Sequence, residues 1–245
     1  MAFGRSGNTF DDPNLSNEIF ATFTAQFSEP LSQESVAAAE YDLRESGIDG
    51  VFGTADDTVY SLTFSHVEPE NRIDFTVTDG PLGNGDYRLT LPSTITDFVG
   101  NSLEDGSGLV RSFTVDAIPD GGVFEGRDND DYTKATPLEL EADTNGTGWL
   151  RSEIGYGSIE PYEDRDWWSF EGIEGDHIDV WAQKLVGGSR PSITLYRLKN
   201  DGTAVVKLVS SSNGNNTNRP PNTSVFSRSM NFMVIPPQNA CGPSG

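Results

Sequence analysis

EDRDWWSFEGIEGDHIDVWAQ, residues 163–183, holds an acidic cluster, two alternating runs and three tryptophans within the length of one hairpin. Trp168 and Phe170, then Ile178, Val180 and Ala182, fall at every second position, the period of a strand with one face buried. Gly172, Gly175 and Asp176 lie between them as turn residues. Pairing the two runs so that Phe170 faces Ile178 and Trp168 faces Val180 sets Trp167 opposite Trp181 on the face away from the core. With Tyr196, outward on the later strand, these indoles form a candidate aromatic platform for a polymer. The alternative is that one of them covers a core edge or a contact between domains.

The same two-residue period recurs along the chain. Residues 19–27 (IFATFTAQF), 72–78 (RIDFTVT), 85–91 (GDYRLTL), 109–115 (LVRSFTV) and 192–198 (SITLYRL) alternate and are separated by Gly, Pro, Asn and Asp turns. Many short strands at such spacing predict an all-β chain of β-sandwiches. The one helix-compatible run, residues 32–46, has poor helical spacing and is worth two or three turns at most. At 245 residues, with hydrophobic residues at 35%, 26 glycines and 14 prolines, the chain suits two domains of about 100 to 120 residues. AIPDGGVFEGR, residues 117–127, reads as the linker between a sandwich over 19–116 and a second over 128–209. Residues 1–18 read as an unstructured or partial N-terminal segment, and 210–245, rich in Asn, Ser, Thr and Pro, as a disordered low-complexity tail.

The net charge of −22 argues against nucleic acid and against an anionic membrane surface. It favours cations, or a surface tuned for solubility. The imbalance is steepest in residues 1–120, where 21 acids face 5 bases. The single cysteine, Cys241, permits no internal disulfide. No apolar run approaches the roughly 20 residues of a spanning helix, and residues 1–18 lack the apolar core of a signal peptide. The preferred placement is therefore a piece of a larger secreted or surface chain, monomeric as a fragment, with neighbouring domains or an extracellular polymer as partners.

No His-Glu-x-x-His, Gly-x-Ser-x-Gly or Cys-x-x-Cys pattern occurs. His66 and His177 lie in separate halves, and acids are too abundant for a carboxylate pair to signal glycoside hydrolysis. The chain is read as non-catalytic. In GIDGVFGTADD, residues 47–57, Asp49, Asp56 and Asp57 are candidate calcium ligands across Gly50 and Gly53, since calcium takes roughly 6 to 8 oxygens. The alternative is a hairpin loop in which Asp57 and Thr54 cap backbone amides.

Two resemblances add to this pattern. FSEPL, NGDYRLTLPSTITDFVGNSL and the closing SFTVD are similar to the bacterial immunoglobulin-like domains found in tandem in large secreted and surface proteins. That resemblance covers about residues 19–116 and implies a spacer or adhesive unit without catalytic residues. EGRDNDDYTKATPL, DRDWWSFEGIEGDHIDV and PSITLYRLKNDG resemble the bacterial pre-peptidase C-terminal domain, a jelly-roll-like sandwich related to collagen-binding domains, over about residues 125–207. It implies an accessory domain of a secreted peptidase or other hydrolase that binds substrate polymer or calcium. The calcium would involve Asn129, Asp130, Asp131, Asp164 and Asp166, with Glu125 possible. Arg165 is the alternative neutraliser of that cluster. The family ends in a further strand pair, which FMVIPPQNACGPSG does not resemble, so the second sandwich is expected to be incomplete and to carry an open edge.

Overall fold

The computed structural model describes residues 2–5, 8–9, 15–158, 164–173, 176–180, 182, 192–199, 202–203, 205–211 and 229–235. They are nearly all strand, and the chain divides into two compact units, Met1–Pro119 and Asp120–Gly245. Among the described residues no helix is long and apolar enough to cross a membrane.

The first unit contains β1 (Ala2–Arg5), β2 (Asn8–Thr9), β3 (Leu15–Ser16), β4 (Thr22–Gln26), β5 (Asp42–Glu45), β6 (Thr58–Tyr60), β7 (Leu62–Ser65), β8 (Arg72–Val77), β9 (Gly85–Leu91) and β10 (Leu109–Val115). They form two five-stranded sheets, ordered β2-β1-β4-β8-β7 and β3-β10-β9-β5-β6. All pairings are antiparallel except β3 with β10. The alternation seen in the sequence fixes the inward faces. Ile73, Phe75 and Val77 of β8 and Tyr87, Leu89 and Leu91 of β9 are all buried, while their neighbours are not. Aromatic rings fill the space between the sheets: Phe23 stacks on Phe75 at 5.2 Å and Tyr87 on Phe113 at 5.4 Å.

One expectation for this unit is corrected, and another holds within its bound. The N-terminal segment is not without structure, because it supplies β1, β2 and β3. The helix-compatible run is a single turn, α1 (Gln33–Ala37), followed by β5. Burial of Leu43, on β5 of the second sheet, in the core outweighs weak local helix propensity.

The second unit comprises β11 (Val123–Phe124), β12 (Thr136–Pro137), β13 (Leu140–Ala142), β14 (Leu150–Ser152), β15 (Gly155–Tyr156), β16 (Arg165–Glu171), β17 (Ser192–Leu198), β18 (Val205–Ser211) and β19 (Ser229–Ile235). Five of them make one sheet in the order β12-β16-β19-β17-β18, with two-stranded pairs β11–β15 and β13–β14 beside it. Within the sheet β12, β16, β19 and β17 run parallel, and only β17 with β18 is antiparallel.

The tryptophan hairpin drawn from the sequence does not form. β16 lies between β12 and β19, and residues 176–180 are not a strand. Alternation states which residues share a face, but not which strand lies alongside. Even so, Ile178 and Val180 pack on Leu138, Trp168 and Phe170, as their phase requires. The tail is corrected as well. SMNFMVI of β19 is paired on both sides, between β16 and β17, and its apolar run suits an interior parallel strand.

Candidate metal centre

Glu125 follows β11, which pairs in parallel with β15. The Glu125 N–H donates to Tyr156 O at 3.0 Å, and one carboxylate oxygen, Oε1, accepts the Ser158 N–H at 2.7 Å. The close approach depends on glycine. A Cβ on Gly157 would overlap the Glu125 carboxyl group, and a Cβ on Gly155 would sit 2.7 Å from the Trp168 ring. Two glycines spaced by two therefore let β15 lie flat against one acid and one indole.

Asp166, on β16, shares the inward face with Trp168 and Phe170. Glu125 and Asp166 are each only 1% exposed. Among the described residues, no donor reaches Glu125 Oε2 or either Asp166 oxygen. The two carboxyl groups lie beside one another, with Asp164 and Asp130 near them. Three of the four oxygens of the Glu125–Asp166 pair thus meet no donor, an arrangement that a shared proton or a cation stabilises. Burial, then the Asp166 charge, pushes Glu125 well above the usual carboxylate range. Burial pushes Asp166 up to about 6, and a proton held by the adjoining Glu125 carboxyl acts in the opposite sense. Asp164 is pushed up to about 9, first by burial and then by Asp166 and Asp130.

The other expected ligands divide. Asp130 accepts the Arg165 N–H at 3.1 Å, so the backbone of Arg165, and not its exposed guanidinium, meets the cluster. Asn129 is buried and positions the segment: its carbonyl accepts the Trp167 N–H at 3.0 Å. Asp131 belongs to the turn, where one oxygen caps Thr133 through its N–H at 2.9 Å and its hydroxyl at 2.7 Å. Among the described residues, no three Asp, Glu, His or Cys side chains already form a coordination shell. A cation would have to draw the carboxylates inward.

The loop of the first unit goes the other way. Asp56 Oδ2 accepts the N–H groups of Ile48 and Asp49, Asp49 Oδ1 accepts that of Val51, and Asp57 Oδ2 accepts that of Gly53 while pairing with Arg44 at 3.1 Å. The Thr54 hydroxyl donates to Asp56 at 2.6 Å. Hydrogen bonds, led by Thr54 for Asp56 and by the Gly53 N–H for Asp57, hold both carboxyls below the usual range. Asp49, Asp56 and Asp57 thus fasten the turn through backbone amides, the geometry of the capped hairpin loop.

The aromatic platform is also corrected. Trp167 is buried at 8% exposure, between Tyr196 at 4.8 Å and Tyr132 at 6.0 Å. Every residue from Asp166 to Phe170 is buried, so both faces of β16 are covered and alternation does not leave one of them wet. Trp181 lies outside the described residues. Among the described residues the half-exposed indole is Trp149, at 49%, which neither motif nor spacing singles out. Neither histidine joins the cluster. His66 is held by Arg72 O at 2.8 Å and Leu31 O at 3.4 Å, and His177 meets Trp149 edge-on.

No protein-family model matches the chain, and no curated protein does. Two crystal structures of the Escherichia coli copper resistance protein PcoC, one described as methionine-rich and one as the selenomethionine form, are similar to part of it. Each is 14% identical over 42% of this chain and covers 87% or 88% of its own length, with TM-scores of 0.31 and 0.33. A likeness at that level carries no argument about function.

Proposed function

We propose that the chain is a pair of non-catalytic modules of a larger secreted or surface protein, an immunoglobulin-like spacer or adhesive unit followed by a calcium-stabilised accessory unit. The carrying observation is the buried Glu125–Asp166 carboxyl pair, three of whose four oxygens meet no donor among the described residues. Calcium takes carboxylate and carbonyl oxygen at irregular geometry, which suits Glu125, Asp130, Asp164 and Asp166 meeting from separate segments, with Asn129 beside them. Zinc would favour His and Cys ligands that this cluster lacks.

The first unit supports its half of the reading through strand order. With β4, β5, β8, β9 and β10 as strands B, C, E, F and G, β1-β4-β8-β7 follows the A-B-E-D order and β10-β9-β5 the G-F-C order of immunoglobulin-type sandwiches. Tyr87, near the start of the F-equivalent strand, donates its hydroxyl to Gly83 O at 3.0 Å, in the manner of a tyrosine corner.

The test is a pair of thermal melts of the whole chain. Millimolar calcium raises the melting temperature of the second unit relative to excess chelator, because a ligand bound only by the folded state stabilises it. Asp166→Asn and Glu125→Gln abolish that difference. Identical melts in calcium and chelator for the unaltered protein would overturn the calcium assignment.

A further inference from the structure

The β13–β14 pair projects from the second unit, and every residue from 144 to 154 is exposed. It has a polar cleft and an apolar rim. The cleft, of about 300 Å³, is lined by Glu141, Asp143, Arg151 and Glu153 among others. Glu141 pairs with Arg151 across the two strands, and the Asp143 N–H donates to Trp149 O at 2.9 Å. By strand alternation Trp149, Arg151 and Glu153 share a face with Glu141. Trp149 stands edge-on to His177 at 5.8 Å, and its own face is half exposed. Leu150, 59% exposed, follows it on β14 and alternates onto the opposite face.

We propose that this ribbon is a docking site for a basic polypeptide segment, with an arginine or lysine head in the cleft and its alkyl stem on Trp149. Charge complementarity selects that occupant. Two exposed carboxylates, Glu141 and Glu153, line the cleft beside one cation, Arg151, which stands 3.8 Å from Asp143, a side chain 4% exposed that also accepts from Asn145 and Thr147. The cleft therefore already accommodates a guanidinium. An indole face attracts a cation and covers its stem, whereas an anionic polymer would be repelled by Glu141 and Glu153. An uncharged polysaccharide would use the indole but gain nothing from the acids.

The experiment measures binding of an oligo-arginine peptide to the whole chain in millimolar calcium, so that the buried carboxylates are occupied. An uncharged polysaccharide is run in parallel. Trp149→Ala, a half-exposed position where the fold survives, weakens oligo-arginine binding by about three- to tenfold. The double substitution Glu141→Gln with Glu153→Gln weakens it by a similar factor, and Arg151→Ala strengthens it by vacating the cleft. Binding fades as salt rises. Three results would overturn the assignment: no peptide binding at low salt; binding unaffected by Trp149→Ala, which would leave only the bulk charge of −22; or polysaccharide bound in preference and indifferent to the glutamine substitutions.

Discussion

In chelator, lowering the pH should stabilise the second unit, the reverse of ordinary acid denaturation. Asp166 rises from 3.8 to about 6, with burial as the largest cause. The folded state therefore holds a proton that the unfolded chain has already released, and stability in chelator falls as pH rises through the interval between those values. At about 1.4 kcal/mol per unit, this one group accounts for roughly 3 kcal/mol between pH 4 and pH 6, most of it recovered by pH 4.5. Asp164, held up to about 9, acts in the same direction and steepens the trend. Asp131 and Asp143, whose carboxyls are lowered by bonds led by Thr133 and Thr147, contribute stability that is lost only near and below pH 4. The useful window is thus pH 4.5 to 7.5. There the melting temperature in chelator should rise by roughly 5 to 10 °C on acidification. In millimolar calcium the slope should reverse, because protons then compete with the ion for the same oxygens. Far-ultraviolet melts at four pH values, with and without chelator, are sufficient. Superimposable chelator melts at pH 5 and pH 7.5, or melts that rise toward neutrality, would show that the carboxyl groups are not buried together.

Gly155→Ala places a methyl against the Trp168 ring and should cost about 1 to 3 kcal/mol in urea unfolding of the second unit, without touching the first. Tyr87→Phe removes the buried hydroxyl bond to Gly83 O and should cost the first unit about 1 to 2 kcal/mol, read from its own transition. Asn84 holds the N–H groups of Ala117 and Ile118 at 2.7 and 2.8 Å and donates to Ile118 O at 2.8 Å. Asn84→Ala should therefore speed amide exchange at Ala117 and Ile118 and protease cleavage just beyond them, at a cost of about 1 kcal/mol.

The first sandwich was legible because its strands carry one wet face each. In β8 and β9 the buried and exposed positions alternate one for one, so the inward residues Ile73, Phe75, Tyr87 and Leu89 could be named from spacing alone. The second unit hid its architecture for the opposite reason. Between Asp166 and Phe170 every residue is buried, and a strand covered on both faces writes no alternation that distinguishes Trp167 from Trp168. β19 was missed because SMNFMVI is short, follows a polar tract and pairs over a long sequence separation, none of which leaves a local signature.

The site was half legible. Asp130, Asp164 and Asp166 announced themselves as acids near a turn, but so did Asp49, Asp56, Asp57 and Asp131, and charge alone cannot separate the two groups. What separates them is the supply of donors. In the loop of the first unit the chain bends so that backbone N–H groups point at each carboxylate, whereas Glu125, just past β11, and Asp166, on β16 of another sheet, face each other with one such N–H, that of Ser158, between them. An acid in a glycine-rich turn is thus satisfied by its own loop, and an acid on an interior strand is not. The alternating glycines of GYG, residues 155–157, were the one local trace of that meeting, since a strand that omits two side chains on one face leaves room for something bulky or charged to lie against it.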